Sequence, residues 1–139
     1  SDNGAVQLAK MLHVNKRLEK LHLLQTCITD TSCIAIANAL SANTTLKSIN
    51  LNLNNKVGVK GISRLITNLK KNFALEHLIV PLLENDRQQK EIDFYLKLNR
   101  CRRGWLLQND EATDVDWANQ LDFVKNDLDC VFYFLTCNP

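Results

Sequence analysis

Three histidines (His13, His22, His77), five cysteines (Cys27, Cys33, Cys101, Cys130, Cys137) and a late set of aspartates are the residues here that could ligate a metal or attack a substrate. A zinc-binding helix places two histidines four residues apart, and no pair here has that spacing. The cysteines form an odd set without a C-x-x-C pair, which reads neither as a disulfide framework nor as a zinc ribbon. Reduced thiols are therefore expected, and with them an intracellular, reducing compartment: cytoplasm or nucleus first, an organelle as the alternative. Cys33 falls on an apolar stripe and reads as a small hydrophobe. Cys130 and Cys137 lack a basic neighbour in sequence that would make them nucleophiles. Asp114, Asp116, Asp127 and Asp129 lack the glycine and terminal glutamate of a calcium loop and read as helix starts. Four glycines are too few for a phosphate cradle, and G-x-x-x-x-G-K, G-x-G-x-x-G and G-x-S-x-G are all missing. The expectation is a protein without catalysis, metal or cofactor.

Charge separates along the chain. Residues 1–80 carry 10 basic and 4 acidic groups, whereas residues 110–139 carry 1 and 7. The densest basic cluster is Arg100, Arg102 and Arg103, with Lys97 one turn earlier. With no stacking platform evident beside it, pairing with the acidic end is expected and nucleic acid is not. No run approaches the ~18 apolar residues of a membrane span. The 139 residues make about one domain. The chain opens SDNGAVQLAK, without an initiator Met and already helical by residue 5, as a chain cut from something longer would.

The elements that must position these residues come from a repeat. Leu18-x-x-Leu21-x-Leu23, Leu46-x-x-Ile49-x-Leu51 and Leu75-x-x-Leu78-x-Val80 start 28 and 29 residues apart. Between them, Ala5, Leu8, Ala9, Leu12 and Asn15 align with Cys33, Ile36, Ala37, Leu40 and Asn43. Those in turn align with Ile62, Leu65, Ile66, Leu69 and Asn72. A further shift of 30 reaches Ile92, Tyr95, Leu96, Asn99 and Arg102. The alternation predicts a strand in each period, and the i, i+3, i+4, i+7 stripe predicts a helix. Asp30 or Thr31 is the expected cap of the second helix.

The L-x-x-L-x-L segments, Asn54 and one helix per period resemble the leucine-rich repeats of the ribonuclease-inhibitor subtype, over residues 4–105. Thr26 departs from the pattern's asparagine, so its hydroxyl or Cys27 has to stand in; the Pro81-Leu82-Leu83 run alters the third loop. IDFYLKLNR and DLDCVFYFLTCNP are similar to the ends of algal (diatom-type) leucine-rich-repeat proteins. The resemblance implies an α/β fold: a short leucine-rich-repeat solenoid, with a curved parallel sheet on its concave side, helices on its convex side and a C-terminal helical cap. The implied division is 1–108 for the solenoid, with repeats starting near 18, 46 and 75, and 109–139 for the cap.

After Asn85 a helix carrying Ile92, Tyr95 and Leu96 is expected to wind the repeat down, with Trp105-Leu106-Leu107 as a last strand or strand-like turn. Trp117, Leu121, Val124 and Leu128, then Val131, Phe132 and Leu135, follow helical spacing and are expected to cover the final unit. Side chains between the inward leucines should face a partner protein: Lys20, His22 and Leu24, then Ser48, Asn50 and Asn52, then His77, Ile79 and Pro81. His22 and His77, two strands apart, would lie roughly 10 Å from each other, too far to share a metal. The expected function is a non-catalytic protein-interaction module using that face, its partner unnamed. A constitutive subunit held in a larger complex by Phe132, Tyr133 and Phe134 is one alternative, and a GTPase-activating regulator, by fold analogy, is another.

Overall fold

A computed structural model describes residues 2–81, 83 and 86–137. In order, the elements are α1 (Asp2–Val14), β1 (Lys20–His22), α2 (Asp30–Leu40), β2 (Ser48–Asn50), α3 (Val59–Leu69), β3 (His77–Ile79), α4 (Asp86–Arg100), α5 (Arg103–Gln108), α6 (Asp114–Val124) and α7 (Leu128–Cys137). The strands are parallel in the order β1-β2-β3. Leu21, Ile49 and Leu78 lie side by side across them.

The expected leucine-rich-repeat solenoid is not what the chain forms. Helices dominate, each strand is only three residues long, and among the described residues no strand follows β3. The result is a small, mostly helical α/β domain. Two physical features keep the sheet small. Gln25, Cys27 and Leu53 take left-handed backbone (φ 54°, 56° and 57°), which turns the chain out of extended geometry just past β1 and β2. Beyond β3 the chain enters the 15-residue α4, and Trp105-Leu106-Leu107, expected as a strand or strand-like turn, lies in α5. Leu82, Glu84 and Asn85, which carry part of the expected third loop and the expected start of α4, lie outside the described residues.

Each of the first three helices buries the stripe its sequence spaces for it: Ala5, Ala9 and Leu12; Cys33, Ile36, Ala37 and Leu40; Ile62, Leu65, Ile66 and Leu69. Leu46, Ile49, Leu51 and Leu75 meet these stripes from the strand side, and each fully buried residue of this size contributes about 1.5–3 kcal/mol. The cap of α2 is Thr29, whose side chain accepts from Thr31 N–H at 3.2 Å. Asp30 reaches the next helix instead, accepting from Gly58 N–H (2.7 Å) and Gly61 N–H (3.0 Å). A Cβ on Gly61 would lie 2.7 Å from that carboxylate, so the contact requires glycine. Asp2 plays the matching role for α2, accepting from Thr29 N–H and from the hydroxyls of Thr29 and Ser32. Those bonds hold its carboxyl below the ordinary aspartate value.

Asparagines tie the helix ends together. Asn43 Nδ2 donates to Leu12 O (2.7 Å) and Asn15 O (3.1 Å), while its Oδ1 accepts from Thr45 and Leu46 N–H. Asn72 repeats this one layer on, with Leu40 O (2.7 Å), Asn43 O (2.9 Å) and the amides of Ala74 and Leu75. The next rung is Asn99, donating to Asn72 O (3.0 Å) and Leu75 O (2.6 Å). The sequence alignment had put Arg102 there; the true offset is 27 residues, not 30. At the other edge, Asn54 Nδ2 bonds Leu23 O and Leu51 O, and Thr26 completes that corner with its hydroxyl on Leu23 O (2.8 Å). Cys27 is exposed and is not the stand-in.

A second core lies beyond the sheet: Leu98, Cys101, Leu106, Trp117, Val124, Cys130 and Phe134. Helix α4 serves both cores, giving Ile92 and Leu96 to the first and Leu98 to the second. Asn72→Ala removes four hydrogen bonds, those to Leu40 O and Asn43 O and those from the Ala74 and Leu75 amides, so a loss of about 2–4 kcal/mol is expected in urea unfolding. Asn15→Ala, at the half-buried open end, should lose about 1 kcal/mol. Equal losses at the two positions would contradict the ladder as a source of stability.

Candidate functional site

Two surfaces and one cleft collect the residues that could act. The first surface is the outer sheet face. Parallel pairing puts Lys20, Ser48 and His77 in one row and His22, Asn50 and Ile79 in the next. Lys20, His22, His77 and Ile79 are exposed, as is Leu24 just past β1, while Ser48, Asn50 and Asn52 are half-buried. Asn50 Oδ1 accepts from Asn52 N–H (2.9 Å) and Asn52 Oδ1 from Leu53 N–H (2.8 Å), so both acceptors serve the turn that follows β2. Pro81, expected outward, is buried. His22 and His77 occupy different rows, which separates them further than their two-strand spacing alone. Among the described residues, no group of three or more His, Cys, Asp or Glu converges as a metal site would.

The second surface is α7. Of the spaced set Leu128, Val131, Phe132 and Leu135, Val131 packs on the core while Leu128, Phe132 and Leu135 face outward at 81%, 70% and 58% exposure. The helix carries two apolar stripes, and the core takes the other one, Cys130 and Phe134 with Val131 and Tyr133 partly buried. Phe134 stacks edge-on against Trp117 (6.2 Å between ring centres) and Tyr133 against Phe94 (6.1 Å), which fixes the helix's rotation. Of the expected aromatic handle Phe132, Tyr133 and Phe134, only Phe132 is exposed.

The basic cluster is distributed rather than massed. Lys97 Nζ pairs with Asp127 at 2.8 Å, the pairing of cluster and acidic end that the charge pattern suggested. Asp127 Oδ1 also accepts from Cys130 N–H at the start of α7. Arg100 donates to Glu76 O (2.9 Å). Arg102 lies over the Trp105 ring at 4.9 Å. Arg103 is 1% exposed. It donates from Nε to Asn99 Oδ1 (2.6 Å) and from one Nη to Leu69 O (2.8 Å) and Asn72 O (3.0 Å). Its guanidinium lies 4.9 Å from the Phe73 ring and 5.1 Å from Tyr95. Burial pulls its pKa down, and nearby Tyr133 pushes it back up. The sequence signals neither the burial of Arg103 nor the role of Trp105.

Beside Trp105 is a cleft of about 350 Å³ lined by Ser41, Thr44, Lys47, Lys71 and Gln108 among others. It forms because Gly104 lets α5 close on the loop before β3: a Cβ there would sit 2.5 Å from Phe73 Cβ. Two buried thiols are held in the protonated form. Burial, then Asp30, pushes Cys33 up to about 12. Burial, then Asp127, pushes Cys130 up to about 12 even though Lys97 is near. All five cysteines are free.

No family model matches the sequence, and no curated protein matches it. Among solved structures, the chain is similar to one described as "Leiomodin-1 Actin-Binding Site 2 (ABS2)", with a TM-score of 0.49 and 22% identity over 81% of this chain and 83% of that one. That likeness is too loose to assign this chain a partner. No described helix is long and apolar enough to cross a membrane.

The Lys97–Asp127 pair makes a pH-dependent contribution whose sign is fixed. The hydrogen bond from Lys97 holds Asp127 below its ordinary value, so its contribution is present above about pH 4 and disappears as pH falls through the lowered folded value. Asp127 raises Lys97 in turn, so that side is lost only at high pH, as pH climbs through the raised folded value. Both partners are about one-third exposed, so the pair is worth only about 0.2–1 kcal/mol. Asp127→Asn keeps a capping side chain and removes the charge. In urea unfolding it should be less stable than the parent near neutral pH and equal to it near pH 2; a constant difference across that range would contradict the pairing.

Proposed function

We propose that this chain is a non-catalytic protein-binding module. The observation that carries the reading is the outer stripe of α7. Leu128, Phe132 and Leu135, at i, i+4 and i+7, keep large apolar side chains in water on a helix whose other face is already packed. The surrounding segment is acidic, with seven carboxylates to one lysine over residues 110–139. The fitting partner is an amphipathic segment with an apolar face and basic flanks, laid along α7. This combines two of the functions read from the sequence, an interaction module and a subunit held through its C-terminal end, and puts Phe132 rather than all three aromatics at the contact. Five free thiols, three of them buried, suit work in a reducing compartment.

The sheet face supports a second reading. Lys20, His22, Ser48, Asn50, His77 and Ile79 are held in fixed rows over a packed core, with Leu24 and Asn52 just past the strands, so a partner docking there would lose little ordering entropy. The exposed Leu24, Leu53 and Ile79 give that face apolar anchors. Nothing in the geometry speaks for the GTPase-activating alternative.

A synthetic helix with leucines on one face and lysines on the other, followed by fluorescence anisotropy, distinguishes the two surfaces. Leu128→Asp with Phe132→Asp should weaken its binding at least roughly tenfold, as loss of two apolar anchors implies, and leave the melting temperature nearly unchanged. The triple variant His22→Ala, Asn50→Ala, Ile79→Ala should bind as the parent does. The reverse pattern would move the interface to the sheet face.

A further inference from the structure

The edge of the domain where helices turn into strands carries a second, chemically different site. Its loops bear Lys16 and Arg17, Lys47, Lys70 and Lys71, then Arg100 and Arg102, against Glu19 and Glu76 in the same loops and Glu91 of α4, which pairs with Lys70 at 2.8 Å. The 28- and 29-residue spacing of the asparagine rungs brings the first three of these loops into neighbouring layers. Cations after helix C-termini suit the helix dipole, which explains their presence but not their setting. The setting is the cleft of about 350 Å³ described above, the size of a small-ligand site. Two lysines, two hydroxyl side chains and the Gln108 amide line it, and no carboxylate does. Glu76, just outside, is bound to Lys47 at 3.0 Å. One wall is Trp105, 39% exposed, with the Arg102 guanidinium stacked on the ring. The cleft between α4 and α7, by contrast, mixes Arg87 and Lys90 with Glu91 and Asp129.

We infer that the Trp105 cleft binds a nucleotide, either free or as part of a single strand. The ring wall supplies the stacking surface, the lysines supply the phosphate attraction, and the hydroxyl and amide groups supply hydrogen bonds to sugar or base edges. A single-stranded chain would continue along the basic edge toward Lys47 and Lys16; a free nucleotide would stop at the cleft. The sequence shows the basic cluster but not its stacking ring, because Trp105 reads as part of a strand or strand-like turn and not as a platform beside the arginines.

The test is anisotropy of a labelled short oligothymidylate with the full chain at two salt concentrations, competed by AMP, by unlabelled oligothymidylate and by polyglutamate of matched charge. Binding should weaken with salt. Lys71→Glu, an exposed change that leaves the fold intact, and Trp105→Ala should each weaken it roughly tenfold, the scale of one lost stacking or phosphate contact. Displacement by AMP supports a single-nucleotide pocket, and displacement by oligothymidylate alone supports a strand along the edge. Equal displacement by polyglutamate, binding indifferent to Lys71→Glu, or no binding of either nucleic acid probe would overturn the inference.

Discussion

A fully buried arginine with no carboxylate against it reinforces the junction that α4 makes between the two cores of this molecule. The hydrogen bonds of Arg103 go to neutral oxygens: the Asn99 side chain and the carbonyls of Leu69 and Asn72. Leu69 ends α3, so the guanidinium meets the negative end of that helix in place of a counter-ion. Aromatic faces of Phe73 and Tyr95 cover it. A buried cation is tolerated only when its donors are met, and among the described residues no buried polar side-chain atom is left without a partner. Through this one side chain the asparagine ladder of the first core ends at the start of the second.

This junction accounts for the layout of the surfaces. Rung by rung, Asn43, Asn72 and Asn99 hold the helix-to-strand loops in neighbouring layers, which fixes the sheet face on one side and the basic edge on another. Past Arg103, α5 closes against Phe73 through Gly104 and shapes the Trp105 cleft. Tyr133, beside the guanidinium, belongs to α7 and helps turn Cys130 and Phe134 inward, which leaves Leu128, Phe132 and Leu135 in water.

Much of the first core was legible in the sequence, because buried stripes and strand alternation leave periods that chemistry cannot hide. Ile62, Leu65, Ile66 and Leu69 are one example, and the pairing of Leu21, Ile49 and Leu78 is another. The larger architecture was not legible. A family resemblance extended three short strands into a solenoid, while the left-handed residues after β1 and β2 and the long α4 make the domain mostly helical. The slip from Asn99 to Arg102 has a simple cause: three residues are nearly one helical turn, so either offset lays apolar residues on the same face. Spacing leaves the rotation of α7 open, because Leu128, Phe132 and Leu135 form as good a stripe as the Cys130–Phe134 face the core takes. No local signal marks a buried Arg103, since its partners are carbonyls up to 34 residues away.

Hydrogen exchange of the parent and Arg103→Met, compared peptide by peptide, tests the clamp most directly. Methionine keeps the length and apolar stem while removing every donor. The account predicts faster exchange both in the last turn of α3 and in α6–α7, with the sheet and α1 unchanged. Exchange confined to α5, or no change beyond it, would contradict the view that this side chain reinforces the junction between the two cores.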